Sequence, residues 1–202
     1  MQLNRIEKTL MNNPVRASIQ RWYEARLLQQ MGGRTDGLRV LEIGCGRGVG
    51  TEIIFERFGA GDVVAFDLDP DMVARARGRL VRYLSDRLQL RVGDAARIAE
   101  PDASFDAVFD FGIIHHVPRW RDAVAEVRRV LRPGGRFFFE EVTRHALERW
   151  ASRTFLEHPI GDRFSGDEFV EAVERAGIRV GGHYVHRFFG DFVIGVGRAS
   201  SG

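Results

Sequence analysis

The chain has 202 residues, 44% of them hydrophobic and 29% charged, with 30 Lys and Arg against 28 Asp and Glu. That length suits one α/β core, and the composition is that of an ordinary globular protein rather than a disordered or fibrous one. No apolar run reaches the roughly 18 residues of a membrane span. Cys45, the only cysteine, excludes an internal disulfide framework and any multi-cysteine metal site.

The first ten residues carry Arg5, Glu7 and Lys8 and lack the apolar stretch of a secretory signal, so a cytoplasmic location is expected. Although the pI is near 9.1, the net charge is only +2. Lys8 is the sole lysine, and the arginines are interleaved with acids rather than gathered in a basic block. Nucleic acid is therefore disfavoured as a substrate.

In chain order, Val15 to Met31 spaces Ile19, Trp22, Tyr23, Leu27 and Leu28 as an apolar helical stripe, stopped by Gly32 and Gly33. Residues 1–37 are expected to form a helical cap on a domain spanning 38–202. Arg39 to Ile43 reads as a strand, Val49 to Phe58 as a helix and Asp62 to Asp67 as a second strand. Pro70 suits the first turn of the next helix. Further strands are expected at Leu88 to Val92, Phe105 to Phe111 and Arg136 to Glu141, with a helix over Arg119 to Leu131. Helical pieces near His145 to Leu156 and Asp167 to Ala176 precede two β-like stretches, Arg179 to Arg187 and Phe192 to Arg198.

Strands alternating with helices predict a doubly wound parallel sheet with helices on both faces. The link around Gly190 is too short for a parallel crossover, which needs a dozen or more residues. The expectation is a seven-stranded α/β sheet, mostly parallel, whose last strand is antiparallel and inserted beside the fifth.

The sharpest local feature is Glu42-Ile43-Gly44-Cys45-Gly46-Arg47-Gly48, a strand running through glycines into a helix. Such a loop lies at the carboxyl edge of the sheet, where ligands of open α/β folds bind. Val49 stands where a dinucleotide fingerprint needs its third glycine, and Arg47-Gly48 does not give the ending of a phosphate-binding P-loop. Glu42, just before the loop, suits a cationic ligand and opposes a pyrophosphate. Asp67 closes the second strand, placed to accept ribose hydroxyls; Asp69, followed by Pro70, reads as a helix cap. Gly93-Asp94-Ala95 follows the third strand.

The Glu42 loop resembles the first motif of the class I S-adenosylmethionine-dependent methyltransferases, and the resemblance continues in order through Asp67, Asp94 and Phe105 to His116, to Leu131-Arg132-Pro133-Gly134-Gly135. It implies a Rossmann-like fold, S-adenosyl-L-methionine as cofactor and methyl transfer to a small-molecule acceptor. It implies that Glu42, Gly44, Cys45 and Gly46 lie at the amino acid end of the cofactor, with Glu42 supporting its ammonium. Asp67 and Leu68 would meet the ribose and adenosine, Asp94 and Ala95 the adenine, and Phe111 the end of the fourth strand. Two other readings share the fold: a cofactor-binding protein without catalysis, and an NAD-dependent oxidoreductase. The loop spacing, Asp94 and the lack of a substrate domain oppose the latter.

Methyl transfer from a sulfonium is an in-line displacement, so a protein mainly aligns the acceptor and excludes water. A base is needed only when the acceptor must lose a proton. His115 and His116, just past the fourth strand, are the candidates for that role, and local packing is the competing reading. From position 110 the chain reads Asp-Phe-Gly-Ile, not the Asn/Asp-Pro-Pro-Tyr/Phe pattern of amide and base N-methylation. Glu140 and Glu141 end the fifth strand, either facing the pocket or solvated. The helix around Trp22 and Tyr23 either covers the cofactor and shapes the acceptor pocket or packs its apolar stripe on the sheet, while His158, Pro159 and Phe164 are candidates to line an acceptor pocket.

Overall fold

A computed structural model describes residue 18 and residues 20–84, 86–151 and 163–201, with the backbone alone for 148–151. In chain order, a π-helical turn (Gln20–Glu24) leads into α1 (Ala25–Gly32), followed by β1 (Arg39–Ile43) and α2 (Val49–Ile53, continued by the π-helical Ile54–Phe58). Then come β2 (Asp62–Asp67), α3 (Pro70–Arg79), β3 (Leu88–Val92), β4 (Phe105–Phe111) and a 3₁₀ turn (Ile114–His116). After α4 (Trp120–Val130), β5 (Leu131–Val142) and α5 (Arg144–Ala151), the chain closes with α6 (Gly166–Arg175), β6 (Ile178–Arg179), β7 (Tyr184–Arg187) and β8 (Phe192–Ala199).

The strands form one sheet in the order β3-β2-β1-β4-β5-β8-β6, with β7 also paired to β8. β1 to β5 are parallel, and β8 runs antiparallel to β5 from Phe192 opposite Val142 to Arg198 opposite Arg136. The reversed strand therefore sits where the short link demands.

The stretch expected as one strand, Arg179 to Arg187, is broken into β6 and β7. Both lie along β8 on the side away from β5. Gly181, at φ +56°, adopts a left-handed conformation that ends the pleat, and Gly182 follows with no side chain to pack. β5 also starts earlier than expected: it absorbs the Leu131 to Gly135 turn, with a register shift opposite Phe105 and Ala107.

The central strands β1, β4 and β5 are buried on both faces because helices cover both. Leu41, Val108, Phe137 and Phe139 face α4 and α6, whose Trp120, Val127 and Phe169 complete that layer. Val40, Phe109 and Phe138 face α1, α2 and α3. There Phe109 and Phe138 stack with centroids 4.4 Å apart, and Phe58 meets both edge-on.

The helix before β1 buries Gln20, Glu24, Ala25 and Leu28, while Trp22 is 66% and Tyr23 44% exposed. Of the expected apolar stripe, Leu27 and Leu28 pack against the sheet, whereas Trp22 and Tyr23 do not. The π-helical turn holds more residues than an α turn, so the buried stripe shifts away from a 3.6-residue phase.

Candidate active site

The carboxyl ends of β1, β2, β3, β4 and β5 converge on one edge. At the first of them the chain turns through Gly44, whose φ is +70° and whose missing Cβ would lie 2.6 Å from Ile113 Cγ1. No other residue fits there. Gly46 is also left-handed, at φ +51°, but a Cβ there would meet nothing within 4 Å. The loop therefore leans on the segment after β4 and presents open backbone at Gly46.

That open backbone is tied to Asp67, because Gly46 N donates to Asp67 Oδ2 at 2.8 Å. The other Asp67 oxygen accepts from Asp69 N at 2.9 Å. Asp69 in turn caps α3, accepting from Asp71 N at 2.9 Å with Pro70 in the first helical position. The cap role expected of Asp69 is thus observed. Leu68, between them, is 46% exposed.

Glu42 lies on the α1–α3 face of the sheet, 1% exposed. The Thr51 hydroxyl donates to its Oε2, and Gly50 and Phe111 crowd its other side. Burial pushes the Glu42 carboxyl up to about 8, with the negative charges of Asp67 and Asp110 adding to the effect against the Thr51 bond. Cys45 is buried and burial pushes its thiol up too, so it offers packing rather than a reactive thiolate.

After β3, Asp94 is exposed and its Oδ1 accepts from Ala96 N at 2.9 Å, while Ala95 is buried. Gly93 N donates to Asp67 O at 3.0 Å, which fastens this turn to the end of β2.

Beyond β4, two buried carboxyl groups hold four successive amides. Asp110 Oδ1 accepts from Gly112 N at 3.1 Å and Ile113 N at 3.0 Å. Glu141, from β5, accepts from Ile114 N at 2.6 Å and His115 N at 3.3 Å. Glu141 Oε2 also lies 2.6 Å from His115 Nδ1. The His115 and His116 rings are 3.9 Å apart, centre to centre. Glu140 and Glu141 are 1% and 0% exposed, so neither is a solvated carboxylate. Successive residues on a strand face opposite sides, and in this sheet both sides are covered.

Phe164 is 3% exposed and packs against Trp120 and Phe169 in the core, so it does not line an acceptor pocket. His158 and Pro159 lie outside the described residues. Among the described residues no group of three or more His, Cys, Asp or Glu could hold a metal ion, and no helix is long and apolar enough to cross a membrane.

Known proteins share this sequence pattern and this fold. The methyltransferase domain family matches residues 41–139. The ubiquinone/menaquinone biosynthesis C-methyltransferase of Methylobacterium nodulans is 32% identical over 182 residues, covering 82% of this chain and 71% of that protein. The chain belongs to the class I S-adenosylmethionine-dependent methyltransferases. A fatty-acid O-methyltransferase of Mycolicibacterium smegmatis is 33% identical over 159 residues, 76% of this chain. The chain spans little more than half the length of that relative, 57%. The fold matches a methyltransferase of Haloferax volcanii solved with the Trm112 activator, at a TM-score of 0.76 and 20% identity over 99% of both chains.

For a methyltransferase of this class, the loop fits its cofactor on two counts: the open face at Gly46 and the carboxylate of Asp67 directly behind it. Sequence reading missed the residues that support Glu42, namely Gly50 and Thr51. It also missed Asp110, and it did not distinguish Glu141 from Glu140.

Two expected results follow from this arrangement. Asp67→Ala should weaken binding of S-adenosylhomocysteine by about 1.5–3 kcal/mol, the scale of hydrogen bonds to a charged acceptor. Titration calorimetry checks this, and an unchanged affinity in a folded variant would move the ribose contact elsewhere. The second concerns pH. In the native state Glu42 keeps a proton that the unfolded chain loses above about 4.5, and Asp110, raised well above the usual carboxylate range chiefly by burial, acts in the same direction. Between about 4.5 and about 8 the folded protein binds more protons, so its stability should fall as pH rises. Urea midpoints measured from pH 5 to 8 should decline, and Glu42→Gln should flatten the decline.

Proposed function

We propose that this protein transfers a methyl group from S-adenosylmethionine to a lipophilic small molecule. The observation that carries the reading is the joint placement, at one sheet edge, of an open glycine loop backed by Asp67 and of His115 held on Glu141. The chemistry the cofactor supplies when bound is an electrophilic methyl on a cationic sulfur leaving group.

The chain's own residues do the rest. An ionised carboxylate has about four lone-pair sites, so Asp67 can hold the loop amides and still accept ribose hydroxyls. Asp94 and the amide of Ala95 take the adenine edge, and exposed Leu68 covers its face. Gly44 and Gly46 let the backbone approach the amino acid end, with Cys45 and Phe111 packing beneath. Glu42, being buried, supports the ammonium by shaping this backbone through Thr51. His115 is the base or clamp for the acceptor hydroxyl or carbon acid, and the His116 ring lies tilted against it.

Two features support a lipophilic acceptor. The matched relatives are named for fatty-acid and quinone methylation. In addition, Thr143 at the end of β5 bonds to Gly190 O and Asp191 O, which brings the β7–β8 turn to the same edge. That turn presents Phe188 and Phe189, 56% and 95% exposed, and the adjoining Arg187 holds the Tyr23 hydroxyl at 2.8 Å. Such aromatic surface suits an apolar ligand better than a polar one.

The test is incubation with methyl-labelled S-adenosylmethionine and matched panels of fatty acids, quinols and polar metabolites. Label is expected in the organic extract; label confined to polar acceptors would overturn the lipophilic reading. A sharper check uses Phe189→Gly. Phe189 stands at φ +61° and buries almost nothing. Relief of that strain should outweigh the flexibility that glycine adds to the unfolded chain, raising stability by about 0.5 kcal/mol. The acceptor KM should rise about tenfold through lost apolar contact.

A further inference from the structure

We propose that Glu141 is a positioning residue that fixes the tautomer of His115, and that Asp110 holds the proton that keeps Glu141 ionised. The inference deepens the proposed function and rests on it for the role of His115, but its evidence is separate.

The two carboxyl groups come from neighbouring strands. Asp110 falls in step with Val108 on β4, and Glu141 with Phe137 and Phe139 on β5, all on the α4–α6 face. Both are fully buried. Two carboxylates side by side in a low dielectric do not both ionise. The hydrogen bonds indicate where the proton goes. Glu141 has three backbone N–H donors, from Ile114, His115 and Val142, in addition to His115 Nδ1. That is the surrounding of an acceptor carrying charge.

Asp110 has two amide donors on one oxygen only. Its other oxygen is buried without an N–H or O–H donor, and Glu141 is the carboxyl group beside it. A proton on that oxygen is donated to Glu141 and completes the arrangement. Burial and the Glu141 charge both raise Asp110 well above the usual carboxylate range, in the same sense.

The consequence for His115 is specific. Facing an ionised acceptor, Nδ1 carries the hydrogen, and the neutral ring keeps its lone pair on Nε2. Glu141 thus sets the ring in the form able to take a proton from an acceptor. Through the same carboxylate it also sets the main chain of residues 114 and 115. Both carboxyl groups are fully buried, so each acts through the groups it holds.

The test is ¹⁵N–¹H multiple-bond NMR of the full chain with labelled histidine, with His115 assigned by loss of its signals in His115→Asn. Near pH 7.5 the wild type should show Nδ1 protonated and Nε2 unprotonated. In Glu141→Gln, the side-chain oxygen stays with the backbone amides and the NH₂ turns to Nδ1, so the tautomer should flip to Nε2–H. Asp110→Asn places an NH₂ where the proton was and should keep the wild-type tautomer. Melting curves and S-adenosylhomocysteine binding within about twofold of wild type would show that neither variant has lost the fold. Nε2–H in the wild type, or an unflipped tautomer in Glu141→Gln, would overturn the proposal. Failure of the wild type to bind S-adenosylhomocysteine would instead overturn the proposed function, and the tautomer result would stand apart from it.

Discussion

Gly50→Ala should destabilise the protein by about 1 kcal/mol net, although alanine is the better helix former. An added Cβ at this buried position would overlap Glu42 Oε1 and lie 2.6 Å from Phe111 Cδ2. Overpacking a close-fitted site costs about 1–3 kcal/mol, and here it falls on a carboxyl group already fixed by Thr51. The helix-propensity gain of about 1 kcal/mol offsets only part of this. Gly78 in α3 is the control, since it is exposed and a Cβ there would meet nothing within 4 Å. Gly78→Ala should gain up to about 1 kcal/mol. Urea unfolding of the two variants decides the matter. Gly50→Ala should also weaken cofactor binding, because Glu42 and Phe111 support the loop. Equal stability of the two variants would contradict the packing around Glu42.

The second large effect is on turnover. His115→Ala and His115→Gln should each lower kcat about 10²-fold and leave cofactor affinity nearly unchanged, as loss of a general base does. The pH–rate profile should lose its lower limb, because protonation of His115 would no longer be what stops the reaction. His116→Ala should cost far less. The Glu141 contact is made by His115 Nδ1, and the His116 ring lies against the His115 ring. Both measurements become possible once a labelled acceptor is found. Wild-type turnover in both His115 variants would mean that alignment and exclusion of water suffice.

Much of this organisation could be read from the chain. Alternating patterns placed β1 to β4 closely. The short link at Gly190 identified the reversed strand, because only antiparallel neighbours can be joined that way. The turn at Gly44, the strand end at Asp67 and the helix cap at Asp69 were legible because each is a local feature of the chain.

The residues that were missed act across the sheet. Asp110 and Glu141 meet only because β4 and β5 are neighbours with Asp110 opposite Phe139. Sequence spacing does not give that register, and Glu140 and Glu141 are the same residue type until it is known. Gly50 and Thr51 looked like ordinary first-turn helix residues. Their position directly after a loop preceded by a buried acid was the available signal. The π-helical turn at Gln20–Glu24 puts Trp22 and Tyr23 off the face that Leu27 and Leu28 share in α1, since a 3.6-residue pattern assumes that no such turn intervenes.

The central claim is that this sheet edge is built for S-adenosylmethionine and not for a dinucleotide. Titration calorimetry of the wild-type chain with S-adenosylhomocysteine and with NAD tests it most directly. Saturable binding of S-adenosylhomocysteine and none of NAD is the predicted result. Micromolar binding of NAD without binding of S-adenosylhomocysteine would contradict it.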